Sequence, residues 1–166
     1  MSESGQTGVH PSFHDLRGSR ESVVMASIVK DFHLSLAAEE VWDALRDFYA
    51  VHERLAPGFL TALQKEPGAR VLTFANGSVA REVLVSIDDD NRRIVYTIAG
   101  DRLQYHGASA QVFADGEGCR FVWITDLLPD AMAPYVSGQM DEGIKAMKAK
   151  LEAGRRGVFD SLKKDL

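Results

Sequence analysis

From Val23 to Leu34 apolar and polar residues alternate, with Val24, Ala26, Ile28, Phe32 and Leu34 on one face, a pattern that predicts a half-buried strand. The period then changes. Val41, Trp42, Leu45 and Phe48 or Tyr49 recur at helical spacing, which predicts an amphipathic helix over 37–48. Glu39 and Glu40 stand in its first turn, where the helix dipole favours negative charge. Ser35 is the nearest capping candidate, one residue too far from Glu39 for a capping box. A second short helix follows at 52–55 and ends at Pro57-Gly58. Strands are then expected at 59–65, 71–74, 78–87, 93–99, 105–113 and 119–127, separated by Pro67-Gly68, Asn76-Gly77, 88–91, Gly100-Asp101 and 115–118. Asn76-Gly77 is the strongest hairpin signal among them. Short turns between successive strands indicate an antiparallel meander.

Pro129 and Pro134 introduce one long helix with Met132, Tyr135 or Val136, Met140, Ile144, Met147 and Leu151 on its inner face. Gly154-Arg155-Arg156-Gly157 is expected to interrupt it, with Val158, Phe159 and Leu162 forming an amphipathic extension. Gly138 and Gly143 lie inside the helix, where glycine costs about 1 kcal/mol relative to alanine, so they mark close packing or space for a ligand. The three methionines supply soft surface that suits varied apolar molecules, and they complete a core equally well.

A chain of 166 residues is one domain by size. Residues 1–21, rich in Ser, Gly and polar side chains, are expected to be a flexible segment, and 22–166 a single domain. His10 and His14 in that segment are separated by Pro11 and lack a supporting carboxylate pair, so no metal site is expected, nor an organic cofactor. Nineteen Lys and Arg stand against 24 Asp and Glu, and without a basic stripe nucleic acid is an unsuitable partner. The single Cys119 excludes an internal disulfide and fits a reducing compartment. No apolar run approaches the ~20 residues that cross a bilayer, and no signal-peptide pattern opens the chain. The expectation is a cytoplasmic protein without membrane insertion.

Four segments carry a resemblance: Glu39-Glu40-Val41-Trp42, the 81–89 strand with Arg81-Glu82 and Asp88-Asp89, Arg93-Ile94-Val95-Tyr96, and Gly118-Cys119-Arg120. In this order they resemble the START / polyketide-cyclase superfamily (SRPBCC, Bet v 1-like), in particular its polyketide cyclase/dehydrase-like branch, over roughly 24–151. The resemblance implies an α+β helix-grip fold. In it a curved antiparallel sheet of about seven strands wraps around the long C-terminal helix, with two short helices after the first strand and a cavity for small apolar molecules. The strand at 81–89 is similar to one in that branch and in the plant abscisic-acid receptors. There the carboxylate points into the pocket, as do aromatics on the next two strands. The matching positions are Glu82, Tyr96, Ile98 and His106.

Pattern alone would bury Val83, Val85 and Ile87 and turn Glu82 outward. Register decides between the two. Pairing Ser86 with Ile94 sets Leu84 against Tyr96 and Glu82 against Ile98, whereas a one-residue slip reverses every side chain. With the resemblance, Glu82 is expected to face inward. Val83, Val85 and Ile87 would then line the outer face, where an apolar row suggests a homodimer or cover by another segment.

His106 shares its face with Ala108, Ala110 and Val112, small residues that widen the space before it. An inward His106 near an inward Glu82 is an acid/base pair, a fixed pair of anchors for a ligand carbonyl or hydroxyl, or a structural contact. Trp123 and Thr125 are expected inward because the opposite choice buries Asp126. Tyr135 is expected to close the pocket, with Leu84, Met140 and Ile144 among the ligand contacts. Trp42 is expected in the core and His52 near the pocket mouth, while Cys119 shows no sign of a nucleophile. No Rieske Cys/His spacing occurs, and neither the gating-loop sequences of the plant receptors nor the arginine–tyrosine cluster of the aromatase/cyclase branch is evident. Three function classes follow: binding of a small hydrophobic or aromatic molecule in an internal cavity, a cyclase or dehydratase-like enzyme using Glu82 and His106, and a protein-interaction module without ligand.

Overall fold

The computed structural model describes residues 24–164, with side chains to Gly154, so the 1–21 segment with His10 and His14 lies outside the described residues. β1 (Ala26–Leu34) leads to α1 (Ala38–Arg46) and α2 (Val51–Arg54). Six strands follow: β2 (Leu60–Glu66), β3 (Ala69–Phe74), β4 (Val79–Asp88), β5 (Arg93–Ala99), β6 (Tyr105–Asp115) and β7 (Gly118–Leu128). A 3-10 turn at Asp130–Met132 opens into α3 (Ala133–Lys164). The strands form one antiparallel sheet in the order β1-β7-β6-β5-β4-β3-β2. The α1–α2 pair therefore carries the chain from one sheet edge to the other, and the curved sheet grips α3, the expected helix-grip fold.

The cap of α1 differs from expectation. Ala37, not Ser35, is the N-cap, and the Glu40 carboxylate accepts the Ala37 N–H at 3.2 Å. The apolar stripe behaves as its spacing dictates: Val41, Trp42 and Leu45 are buried, as is Phe48 beyond the helix end. Trp42 is core, yet its indole N–H reaches Asp89 Oδ1 at 3.0 Å, while Arg46 holds the other oxygen at 3.2 Å. These bonds pin α1 to the β4–β5 turn. Beneath it, Phe32 of β1 stacks on Phe121 of β7 at 4.9 Å, and Leu72, Val112 and Leu127 are almost fully buried.

Two details of the fold correct the reading from pattern. Leu84 pairs with Tyr96 and Glu82 with Ile98, but the register shifts between Leu84 and Ser86, so Ser86 faces Val95 and Ile87 faces Ile94. Val85 is the extra residue of a β-bulge. Alternation is interrupted once, which pairs Ile87 with the buried Ile94, yet Ile87 stays exposed, as does Val85, while Val83 is half-buried. The second correction concerns α3, whose backbone continues helical through 154–157 to Lys164. A helix of more than five turns on the sheet tolerates two glycines at about 1 kcal/mol each, less than the loss from ending it. The side chains of Val158, Phe159 and Leu162 lie outside the described residues.

Glycines within the fold divide by surroundings. A Cβ on Gly143 would lie 3.2 Å from Phe59 and 3.3 Å from Trp123, so Gly143 marks close packing, whereas Gly138 has open space. A Cβ on Gly118 would strike the backbone carbonyl of Leu34, where β7 meets β1. Urea unfolding should therefore show Gly118→Ala destabilised by about 2 kcal/mol or more. Gly138→Ala should gain up to about 1 kcal/mol.

Candidate functional site

The Asn76-Gly77 turn sets the site. Gly77 takes a positive φ of 82°, and the Phe74 N–H donates to the Ser78 carbonyl across the hairpin. Counting outward from this turn puts Arg70 of β3 opposite Glu82 of β4, and the next pairing puts Glu82 opposite Ile98 of β5. On β6, His106 continues the row. Arg70, Glu82 and His106 are only 6%, 5% and 6% exposed, an unusual degree of burial for such side chains.

Glu82 faces inward and finds a partner that sequence reasoning missed. Arg70 donates through Nε at 2.8 Å and Nη2 at 2.5 Å to Glu82 Oε2, and through Nη1 to the Phe48 carbonyl. Its guanidinium carbon also lies 4.0 Å from the centre of the Phe48 ring. Glu82 Oε1 receives no hydrogen bond from any described residue. No hydrogen bond joins Glu82 and His106: Arg70 binds Glu82 Oε2, and His106 Nδ1 accepts from the Ile98 backbone. The guanidinium carbon of Arg70 also lies 5.8 Å from the centre of the Tyr96 ring.

His106 is positioned by the backbone of the neighbouring strand. The β5–β6 ladder ends at Tyr96–Ala108, and beyond it the Ile98 N–H donates to His106 Nδ1 at 3.0 Å. The Thr97 hydroxyl donates to the His106 carbonyl at 2.5 Å. An acceptor at Nδ1 places the neutral ring's proton on Nε2. Burial pushes the imidazole down to about 4, so the ring is neutral near pH 7. Tyr96 lies alongside, its ring 6.2 Å from that of His106. Its hydroxyl accepts the Trp123 indole N–H at 2.9 Å, and burial next to the Glu82 charge drives its ionisation well above the ordinary phenol range.

These groups form part of the wall of a pocket of about 450 Å³ between the concave face of the sheet and α3. Most of the wall is apolar, including Leu72, Phe121 and, from α3, Met140 and Met147. Tyr96, Ile98, Trp123, Thr125, Tyr135 and Met140, all expected as ligand contacts, border this space. Leu84, Ala108 and Ile144 do not: each packs into the surrounding core. For Leu84 and Ala108, which flank Tyr96 on the adjoining strands, the larger ring covers the smaller neighbours. His52, expected near the mouth, is not on the pocket wall. Tyr135 stands near the opening, where Asn76 of the β3–β4 turn approaches both its hydroxyl and Gln139 at 3.4 Å. Hydrogen bonds with Ser78 and Asn76 bring the pKa of this phenol below its ordinary value.

A buried ion pair is costly to break and cheap to replace whole. Arg70→Met should cost about 3–5 kcal/mol by leaving a buried carboxylate alone. Arg70→Met combined with Glu82→Leu should recover most of that loss in a double-mutant cycle of denaturant melts. His106 gives a second expectation. Its depressed folded pKa means the unfolded chain binds the proton more readily, so the stability it contributes is present above pH 6.5 and lost as the pH falls towards 4. The difference in unfolding free energy between wild type and His106→Asn should shrink over that window by on the order of 2–3 kcal/mol.

The fold has well-matched counterparts. Norcoclaurine synthase from Thalictrum flavum superimposes with a TM-score of 0.64 at 18% identity, over 91% of this chain and 98% of that one. The protein XoxI from Bacillus cereus gives 0.68 at 20% identity, over 78% of this chain and 98% of its own. Ara h 8.0201 gives 0.62 at 15% identity, over 78% and 99%. At these identities the likeness is one of fold. No curated protein matches the sequence. Among the described residues no helix is long and apolar enough to cross a membrane. The profile of the polyketide cyclase / dehydrase and lipid transport family matches residues 25–152, and the chain belongs to that family.

Proposed function

We propose that the protein binds a small, largely apolar or aromatic molecule between the sheet and α3, with Glu82, Tyr96 and His106 as its polar anchors. One observation carries this reading. An apolar pocket of about 450 Å³, ample for a two- or three-ring molecule, is lined by Glu82, Tyr96 and His106, and Glu82 Oε1 and His106 Nε2 make no hydrogen bond with a described residue. A core built only for stability would satisfy those atoms or omit them. The family's description, which includes lipid transport, agrees with such a role.

Acid/base catalysis by Glu82 and His106 has less support. Glu82 shares its charge with Arg70, and His106 is held neutral by burial with its Nδ1 bonded to the Ile98 N–H rather than to Glu82. A module that only docks on other proteins would have no use for polar atoms inside a greasy pocket.

Native mass spectrometry of the protein isolated from its cell, before and after denaturation, tests the proposal. A bound small molecule is expected on the wild type and should be lost from Val136→Trp, which fills the mouth from α3 with little effect on thermal stability. A pocket that stays empty in the cell extract and across a library of aromatic and aliphatic compounds would sink it.

A further inference from the structure

The charges in the pocket wall cancel. Three of the five N–H groups of Arg70 are engaged, two on Glu82 Oε2 and one on the Phe48 carbonyl, and one face of the group covers the Phe48 ring. Its charge is matched by the Glu82 carboxylate. Two other arginines border the space. Arg81 is bonded to Glu66 at 2.8 Å, and Arg102 is exposed in the loop at the mouth next to Asp101. The deep part of the pocket thus presents no net charge to a ligand.

It does present a specific set of unused groups. Glu82 Oε1 is an acceptor with no donor among the described residues. Tyr96 accepts from Trp123 but donates its own hydroxyl proton to no described residue. His106, with Nδ1 occupied by the Ile98 N–H, turns an Nε2–H donor with no described acceptor. One strong acceptor and two donors therefore converge on one apolar space.

We infer that the pocket selects uncharged amphiphiles whose polar end is a hydroxyl, alone or beside a carbonyl, and rejects carboxylates and ammonium ions on the same skeleton. This rests on the binding reading above. A hydroxyl donates to Glu82 Oε1 and accepts from Tyr96 or His106 at once, so the ligand's polar group is satisfied and the pocket stays neutral. A carboxylate would bring a second negative charge beside Glu82 and would leave Glu82 Oε1 without a donor. An ammonium ion would satisfy Glu82 but add an uncompensated positive charge beside Arg70. Burying an unpaired charge costs far more than burying a hydrogen-bonded neutral group, and that difference is the source of the selection.

The test is calorimetric titration at pH 7.5 with three probes on one skeleton: 2-naphthalenemethanol, 2-naphthoate and 2-naphthylmethylammonium. The alcohol is expected to bind at least tenfold tighter than either ion. Glu82→Gln uncovers the Arg70 charge, and in that variant the carboxylate should gain at least tenfold relative to the alcohol. Binding of either ion to the wild type as tightly as the alcohol overturns the selection and leaves the binding reading standing. Failure of all three to bind the wild type overturns both. If Glu82→Gln does not fold, as judged by circular dichroism, the wild-type ranking alone decides.

Discussion

The ion pair between Arg70 and Glu82 is the constraint around which the concave face is arranged. Two charges taken out of water are tolerable only with close geometry and with their remaining donors met. The hairpin at Asn76-Gly77 supplies the register, the end of α1 supplies the Phe48 carbonyl and ring, and Tyr96 closes the far side. Each of these elements would pack adequately against an aliphatic pair. The charged pair instead ties β3, β4 and the α1–α2 connection into one arrangement, because moving any of them strands a buried charge.

Most of the fold was legible in the sequence. Alternation along β1, β6 and β7, glycine- and proline-bearing turns, and the helical spacing of Val41, Trp42 and Leu45 each reflect a local preference that the tertiary structure leaves intact. The departures arise where something other than local pattern decides. The bulge at Val85 is a property of two paired strands, and no single-strand alternation reveals it. The glycines at 154 and 157 read as a break because propensity is a per-residue quantity, while α3 is held by its whole length.

The site was legible by half. Glu82, Tyr96, Ile98 and His106 line the pocket as the family resemblance implied, although pattern alone would have turned Glu82 outward. Arg70 was missed because an arginine near a strand start normally reaches water. Its signal was nevertheless in the chain. Counting back from the Asn76-Gly77 turn places Arg70 opposite the residue expected inward, and an inward glutamate needs a partner.

The way β5 and β6 part has a consequence for how the interior is reached. Their backbone ladder stops at Tyr96–Ala108, and beyond it only the His106 ring and the Thr97 hydroxyl rivet the strands together. Residues 99–103, which follow directly, form part of the rim. Unfastening two side-chain bonds, each worth about 1 kcal/mol net, lets this corner swing while five other strand pairings hold. The lightest seam in this part of the sheet therefore lies just beyond Tyr96, and the His106 imidazole is one of its two fastenings.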